Sequence, residues 1–158
     1  MRIPLALIAA TATALAIPAF AGGAKPEKVP LPFEPFTIEG SCDFPVAVDA
    51  LQNKAKGLAF ANGVFSVTGK FFVRLTNTEN GQTLDLNISG PVRISSLADG
   101  STQIVLRGRS LIFLFETDAG GPALLLTSGR VVEVLDEEGN VLSVEGTGRS
   151  VDACALLS

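Results

Sequence analysis

The sequence predicts an all-β protein, and three observations support that prediction. Apolar and polar residues alternate along 70–90, where Thr-Glu-Asn-Gly at 78–81 separates two alternating runs as the turn of a β-hairpin. Similar short runs, each bounded by turn residues, continue to the end of the chain. The links between runs are too short to hold a crossover helix, so neighbouring strands are expected to be antiparallel.

The order of these runs predicts a meander of eight or nine strands. Asn62-Gly63 is a preferred hairpin turn between 58–60 and 64–67. Further strands are predicted at 92–97, 102–106, 110–116, 123–135 with an interruption at Gly129, and 141–145. A meander of this length favours a closed or nearly closed barrel, and the alternative is a two-sheet β-sandwich.

Residues 43–57 carry two competing signals. Asp43 and Gly57 suit the two ends of a short helix, whereas Phe44, Val46 and Val48 alternate with less apolar residues. Because the segment precedes a series of strands, we favour a strand to about residue 51 followed by a turn at 52–54.

The N-terminal region predicts export. An apolar run at 5–17 is followed by Ala19-Phe20-Ala21, which matches a signal-peptide cleavage site, so 1–21 is interpreted as a signal peptide. The alternative is a membrane anchor, but the run is shorter than the ~20 residues that a spanning helix needs. No membrane span is therefore expected after processing. Residues 22–35 contain four prolines and predict an arm or tether, while 36–158 is expected to be a single β domain, ordered from about Phe36.

Composition argues against several functional classes. Residues 1–21 hold one Arg and no acid, so the remaining chain has 11 Lys and Arg against 16 Asp and Glu, a net charge of −5. That balance argues against nucleic-acid binding and against adhesion to anionic membranes. The chain has no His, which removes the commonest general base and metal ligand. We predict no cofactor, no metal site and no catalytic residue.

Two groups of charged residues have ordinary interpretations. The adjacent acids at 136–138 lack the spacing of a calcium loop and are expected to face water. Several arginines lie on different predicted strands, where they are expected to pair with acids instead of converging on one anionic ligand. They are Arg74, Arg93, Arg107, Arg109, Arg130 and Arg149.

The two cysteines predict one disulfide. Cys42 lies near the beginning of the β domain and Cys154 near its end. An even number of cysteines in an exported protein is typical of disulfide bonding, so we expect a Cys42–Cys154 bond that joins the two ends of the domain.

Strand alternation predicts an apolar interior and one exposed patch. The candidate interior residues are Phe71, Val73, Leu84, Leu86, Phe113, Val132 and Val134, with Leu142 and Val144 beside them. The run 111–115 is apolar on both faces, so Ile112 and Leu114 need a cover if Leu111 and Phe113 face the core. The Pro-rich arm, a second sheet or another subunit would serve. We therefore name Ile112 and Leu114 as a candidate interaction patch for a protein partner or a second copy of the chain.

The runs VRLTN, LNISGP and LLLTSGR, with CDFPV before them and CALL at the end, resemble a group of small exported proteins from high-GC Gram-positive bacteria. The likeness covers nearly all of the chain after residue 21. That group has no assigned activity, so the resemblance implies export and an all-β fold and transfers no site residue.

These observations predict a secreted, non-enzymatic binding or surface-interaction protein. Its partner is expected to be a small apolar ligand or a protein. The alternative is a barrel enzyme of the cyclase or isomerase type, which acts on an apolar substrate by enclosing it.

Overall fold

A computed structural model describes residues 24–158, and the predicted signal peptide at 1–21 lies outside them. The described residues form eleven strands and one short helix. In chain order these are β1 (Glu27–Pro30), β2 (Phe36–Ile38), β3 (Val46–Asn53), β4 (Lys56–Ala59), β5 (Phe65–Thr68), β6 (Phe71–Asn77), β7 (Thr83–Asn87), β8 (Val92–Ser96), β9 (Thr102–Leu114), β10 (Ala123–Leu135), β11 (Val141–Asp152) and α1 (Ala153–Leu157).

The strands form two antiparallel sheets, as in a sandwich. The large sheet has seven strands in the order β1-β4-β5-β8-β9-β10-β11, and the small sheet has four in the order β2-β3-β6-β7. The all-β prediction is confirmed, but the closed barrel is wrong and the sandwich alternative fits better. The hairpin β6–β7 belongs to the small sheet, whereas β5 and β8 on either side of it pair with each other in the large sheet. A short link suits either the same sheet or the other one, which is why link length did not reveal the switch.

Local elements were predicted more successfully. The hairpin β6–β7 pairs Val73 with Leu86 and Arg74 with Asp85, so its apolar and polar faces are those that the alternation predicted. The hairpin β4–β5 also forms, and residues 46–53 are a strand instead of a helix. On the exposed face Arg74 Nε donates to Asp85 Oδ1 at 2.6 Å. This hydrogen bond raises the pKa of Arg74 and lowers that of Asp85.

The Pro-rich arm is part of the fold. Strand β1 pairs with β4 as an edge strand, so the prediction that order begins near Phe36 is wrong. Pro30 is tolerated there because an edge strand leaves one row of backbone groups unpaired. Farther along, Asn53 Nδ2 donates to the carbonyl of Leu31 at 2.8 Å and holds the arm against the end of β3.

The three longest strands bend at a row of glycines. Gly108, Gly129 and Gly148 are direct neighbours across β9, β10 and β11, with φ of 72°, 119° and 126°. These φ values favour glycine, so the row bends the sheet without ending its strands. The predicted interruptions at Gly108 and Gly129 are therefore bends, and β11 extends well beyond the predicted 141–145.

Apolar side chains form two separate cores. The inter-sheet core lies between the small sheet, α1 and the other face of β9 and β10; its buried members are Ile38, Val46, Val48, Val73, Leu75, Leu86, Leu124, Ala153 and Leu157. The concave core lies on the inner side of the bent large sheet; its buried members are Ile104, Leu106, Ile112, Leu114, Val131, Leu135 and Val141. The run 111–115 is apolar on both faces because it separates these two cores.

The C-terminus is attached to the inter-sheet core at several points. Asp152 accepts hydrogen bonds from the backbone N–H groups of Cys154 and Ala155 and begins α1. The predicted Cys42–Cys154 disulfide is present, with the Cα atoms 5.6 Å apart. The carbonyl of Leu157 accepts from Asn77 Nδ2 at 2.9 Å, next to the β6–β7 turn. The helix itself was not predicted.

Candidate functional site

A cavity of about 160 Å³ lies where the two cores meet. Side chains from the arm, the small sheet and both faces of β9 form its wall, and most of them are apolar. They include Leu31 and Phe33 from the arm, Phe71 and Val73 from β6, and Ile104, Leu106 and Phe113 from β9. Four polar side chains interrupt this apolar wall: Asn53 and Thr68 are exposed, whereas Ser110 on β9 and Glu133 on β10 are buried.

Glu133 is a buried carboxyl group on the concave face of the large sheet. Strand pairing places it between Ile104 on β9 and Val144 on β11, and only 8% of its surface is exposed. Burial raises the pKa of Glu133 to about 7, because the charged form loses its hydration. The nearby carboxylate of Asp118 raises this pKa further by repulsion.

Asp118 is held in place by the backbone. Its two carboxylate oxygens accept from the N–H groups of Phe115 at 2.7 Å and Val141 at 2.9 Å. The N–H of Ala119 also donates to the carbonyl of Val141 at 2.9 Å. The loop after β9 is thereby fastened to the beginning of β11, close to Glu133, and a fixed negative charge remains near the cavity.

Ser110 supplies the second polar group. Its side chain is buried, and its hydroxyl has no hydrogen-bond partner within residues 24–158. Its carbonyl accepts from Thr127 Oγ1 at 3.4 Å. Burying a hydroxyl without a partner costs about 1–3 kcal/mol, so a ligand group that bonds to Ser110 would recover stability.

The predicted interior residues divide between two environments. Phe71, Val73, Leu84, Leu86 and Phe113 lie in or against the inter-sheet core, and Phe71, Val73 and Phe113 also line the cavity.

Val132 and Val134 belong to neither core, because the buried residues of β10 beyond Gly129 are the odd-numbered ones. The prediction assigned the interior to the wrong face of this half-strand. Leu142 is likewise misplaced, since it is 56% exposed, whereas Val144 packs against the concave core.

The interaction patch predicted at Ile112 and Leu114 is absent. These side chains are 3% and 2% exposed and lie in the concave core. Of the three covers considered, a second layer of sheet is the one found, and it comes from the bend of the large sheet itself. Ile112 and Leu114 are therefore not accessible to a partner or a second copy.

Sequence reasoning missed both buried polar residues of the cavity, Glu133 and Ser110. A signal for Glu133 existed in the run VVEVL, where a carboxylate interrupts a strand that is otherwise apolar on both faces. Ser110 had no such signal, because serine is common at either face of a strand. The acids at 136–138 also have a structural role: Asp136 accepts from the backbone N–H and the side-chain amide of Asn140, each at 2.7 Å, and closes the β10–β11 turn.

No match to the chain was found among protein-family models, curated proteins or solved structures. In residues 24–158, no helix combines the length and apolar character needed to cross a membrane. Nor do three or more potential metal-ligating side chains cluster anywhere in this range.

Proposed function

We propose that the protein is an exported, non-enzymatic binding protein that takes a small apolar ligand into the cavity. The observation that carries the proposal is a largely apolar wall with two buried polar groups, Glu133 and Ser110, that have no side-chain partner among the described residues. A few polar groups within an apolar pocket are typical of small-molecule sites. In a purely structural core, two apolar side chains would be more stable at these positions.

The cavity limits the size and chemistry of the ligand. An engineered cavity of roughly 150 Å³ binds benzene, so a space of about 160 Å³ suits a body of one ring or a short branched chain. The apolar body of the ligand should carry a hydrogen-bond-donating group at one end, because an ionised Glu133 only accepts hydrogen bonds. A protonated amine is favoured over a hydroxyl, since its charge offsets that of Glu133.

Three probes that each contain one benzene ring test this proposal. Toluene, benzyl alcohol and benzylamine are titrated into ¹⁵N-labelled protein, and amide shifts are followed by NMR. We expect saturable shifts at cavity residues such as Leu106 and Phe113, with benzylamine binding most tightly. Its affinity should increase between pH 5 and pH 8 as Glu133 ionises, whereas that of toluene should not change.

Three variants make the result specific. Glu133→Gln should remove the advantage of benzylamine and leave toluene binding intact. Val92→Phe narrows the cavity from β8 and should weaken all three probes, whereas Val132→Phe, on the opposite face of the large sheet, should weaken none. The proposal is wrong if no probe saturates, or if Val92→Phe binds them as the parent protein does.

Glu133 also supports the enzymatic alternative, an isomerase for an apolar substrate. A carboxyl group whose pKa lies at about 7 is suited to both accepting and donating a proton at neutral pH. In D₂O, such an enzyme should exchange the α-protons of a small cyclic ketone faster than buffer does. Exchange that Glu133→Gln abolishes, with ketone binding retained, would favour catalysis; no acceleration leaves binding as the function.

Export has its own test. The disulfide Cys42–Cys154 is compatible with an oxidising compartment, and the cleavage site at 19–21 supports release of residues 1–21. We expect protein recovered from culture medium to begin at Gly22 or within two residues of it by intact mass. A cell-bound product that retains Met1 contradicts export.

A further inference from the structure

Five arginines lie together on the convex face of the large sheet, opposite the concave core. We call Arg93, Arg107, Arg109, Arg130 and Arg149 the arginine patch; all five are exposed. Arg107 on β9 is directly opposite Arg130 on β10. Ser128 on β10 lies between Arg109 and Arg149, its neighbours on β9 and β11. Arg93 on β8 pairs with Val105, which lies two residues before Arg107 on the same face.

The patch is dense for a surface of this size. Neighbouring strands are about 4.8 Å apart and alternate residues of one strand about 6.7 Å apart, so the five residues occupy roughly 14 by 13 Å. The only described ion pair of the protein is Arg74–Asp85, on the small sheet, so no member of the patch has a carboxylate partner among the described residues. Lys28 and Lys56 extend the same face toward the β1 edge, and the one acid that the described strands place on this face is Glu145 on β11, at the other edge.

The arginine patch lowers the stability of the fold, and a structural role does not explain why it is present. Like charges directly opposite each other on neighbouring strands are destabilising, as at Arg107 and Arg130. Arginines that serve only solubility would be dispersed among acids, which outnumber bases in this chain. From the geometry we infer that the arginine patch binds a flexible linear phosphate polymer that lacks aromatic bases.

Phosphate fits the side chains present. A guanidinium group donates two parallel hydrogen bonds to a phosphate, and the two charges attract. The hydroxyls of Ser128 and Thr147, which lie beside Arg149 and Arg130 on the same face, are further donors to phosphate oxygens. An anion bound between Arg107 and Arg130 would attract both side chains and so offset the repulsion between them.

The shape and charge of the molecule favour a narrow, flexible partner. The patch lies on the outside of the bend at Gly108, Gly129 and Gly148, and two residues farther along β9 and β10 the inter-sheet core packs on the same face at Leu111 and Leu126. A planar membrane or a rigid duplex would reach such a surface less readily than a thin chain. A net charge of −5 beyond residue 21 also repels a broad anionic surface, whereas a thin chain contacts the patch alone. Single-stranded nucleic acid is disfavoured because such strands stack their bases on aromatic side chains, and the rows that carry the patch contain none.

The experiment measures binding of linear polyphosphate to the purified mature chain. Affinity is determined by calorimetry over a range of salt concentrations, where counterion release makes it decrease as salt increases. The double variants Arg107→Gln/Arg130→Gln and Arg109→Gln/Arg149→Gln should each weaken binding by about tenfold and reduce the salt dependence. The control Lys25→Gln/Arg74→Gln removes two charges elsewhere and should change affinity by less than about twofold.

Competing partners are tested with the same proteins. Inorganic phosphate, dextran sulfate, a mixed-sequence single-stranded DNA and vesicles with anionic lipid should each bind more weakly than polyphosphate. Tighter binding of any of them contradicts the inference, as does an equal loss of affinity in the control variant or no binding of polyphosphate at low salt. Urea unfolding of each variant distinguishes lost binding from lost folding. The cavity plays no part in this test, so its outcome is independent of the proposed ligand.

Discussion

The inter-sheet core and the concave core share β9 and β10 but are built differently. Of the six largest fully buried side chains, five belong to the inter-sheet core and one, Leu114, to the concave core. The inter-sheet core is also held by the disulfide and by α1. The concave face contains a buried carboxyl at Glu133 and an unpartnered hydroxyl at Ser110, beside open space. Because Ser41, beside the disulfide, also has an unpartnered buried hydroxyl, the buried carboxyl and the adjoining open space are what distinguish the concave side.

The two candidate sites lie on opposite sides of the bent large sheet. The cavity extends from the concave face toward the inter-sheet core, and the arginine patch lies on the reverse side of the same bent strands. The bend at Gly108, Gly129 and Gly148 therefore gives the large sheet a concave, apolar side and a convex side on which the arginines lie.

Removing the disulfide should have the largest effect, because it fastens α1 to the inter-sheet core. Cys42 and Cys154 are 112 residues apart, and a bridged loop of about this length is worth roughly 4.7 kcal/mol in the chain-entropy model. We expect Cys42→Ser/Cys154→Ser to unfold at markedly lower urea concentration. An unchanged midpoint, or two alkylatable thiols in the native parent protein, would contradict the prediction.

Matched leucine truncations compare the packing of the two cores. Leu124 is fully buried in the inter-sheet core, whereas Leu106 borders the cavity on the concave side. We expect Leu124→Ala to lower the free energy of unfolding by about 4 kcal/mol and Leu106→Ala by about 2 kcal/mol, because a side chain beside open space loses fewer contacts. Chemical denaturation measures both, and equal losses would mean that the cores are packed alike.

The pH dependence of stability should reveal Glu133. Its pKa is about 7 in the folded protein and near 4.5 when unfolded, so the folded state holds its proton more tightly. The associated stability is complete below about pH 4.5, decreases as pH rises and is lost above about pH 7.

Glu133→Gln removes this dependence. At pH 8 the variant should therefore be more stable than the parent protein by about 3 kcal/mol, while at pH 4 the two should be similar. Thermal or urea unfolding at the two pH values measures the difference, and a variant less stable at pH 8 would show that the carboxylate is stabilised by a partner.

The smallest expected effect concerns the two hydroxyls of the paired residues Ser110 and Thr127. Ser110→Ala removes an unpartnered hydroxyl and should raise the free energy of unfolding by about 1 kcal/mol. Thr127→Val removes a hydroxyl that donates a hydrogen bond and should lower it by about 0.5–1 kcal/mol. Opposite signs in urea titrations are expected; destabilisation by both changes would mean that the Ser110 hydroxyl is bonded in solution.

Local patterns predicted much of the fold and little of the candidate sites. Alternation and turn residues located the hairpins β4–β5 and β6–β7, because a hairpin is specified within about twenty residues. They misplaced the core on the second half of β10, where Val132 and Val134 face outward. Glu133 between them was given no role: the carboxylate interrupts an apolar run, but the sequence does not show that a cavity adjoins it.

Local sequence accounts for most of the strands, for the turns and for the disulfide, since each depends on the properties of a few neighbouring residues or on the only two cysteines. Which sheet each strand joined depends on tertiary packing, because short links permit either choice. Tertiary packing also decided where charge accumulates. The sequence shows a mild net acid with scattered arginines, yet strand pairing brings Arg107 beside Arg130 and places Arg109 and Arg149 on either side of Ser128. Charge density is a property of a surface, and a surface exists only after the strands have paired.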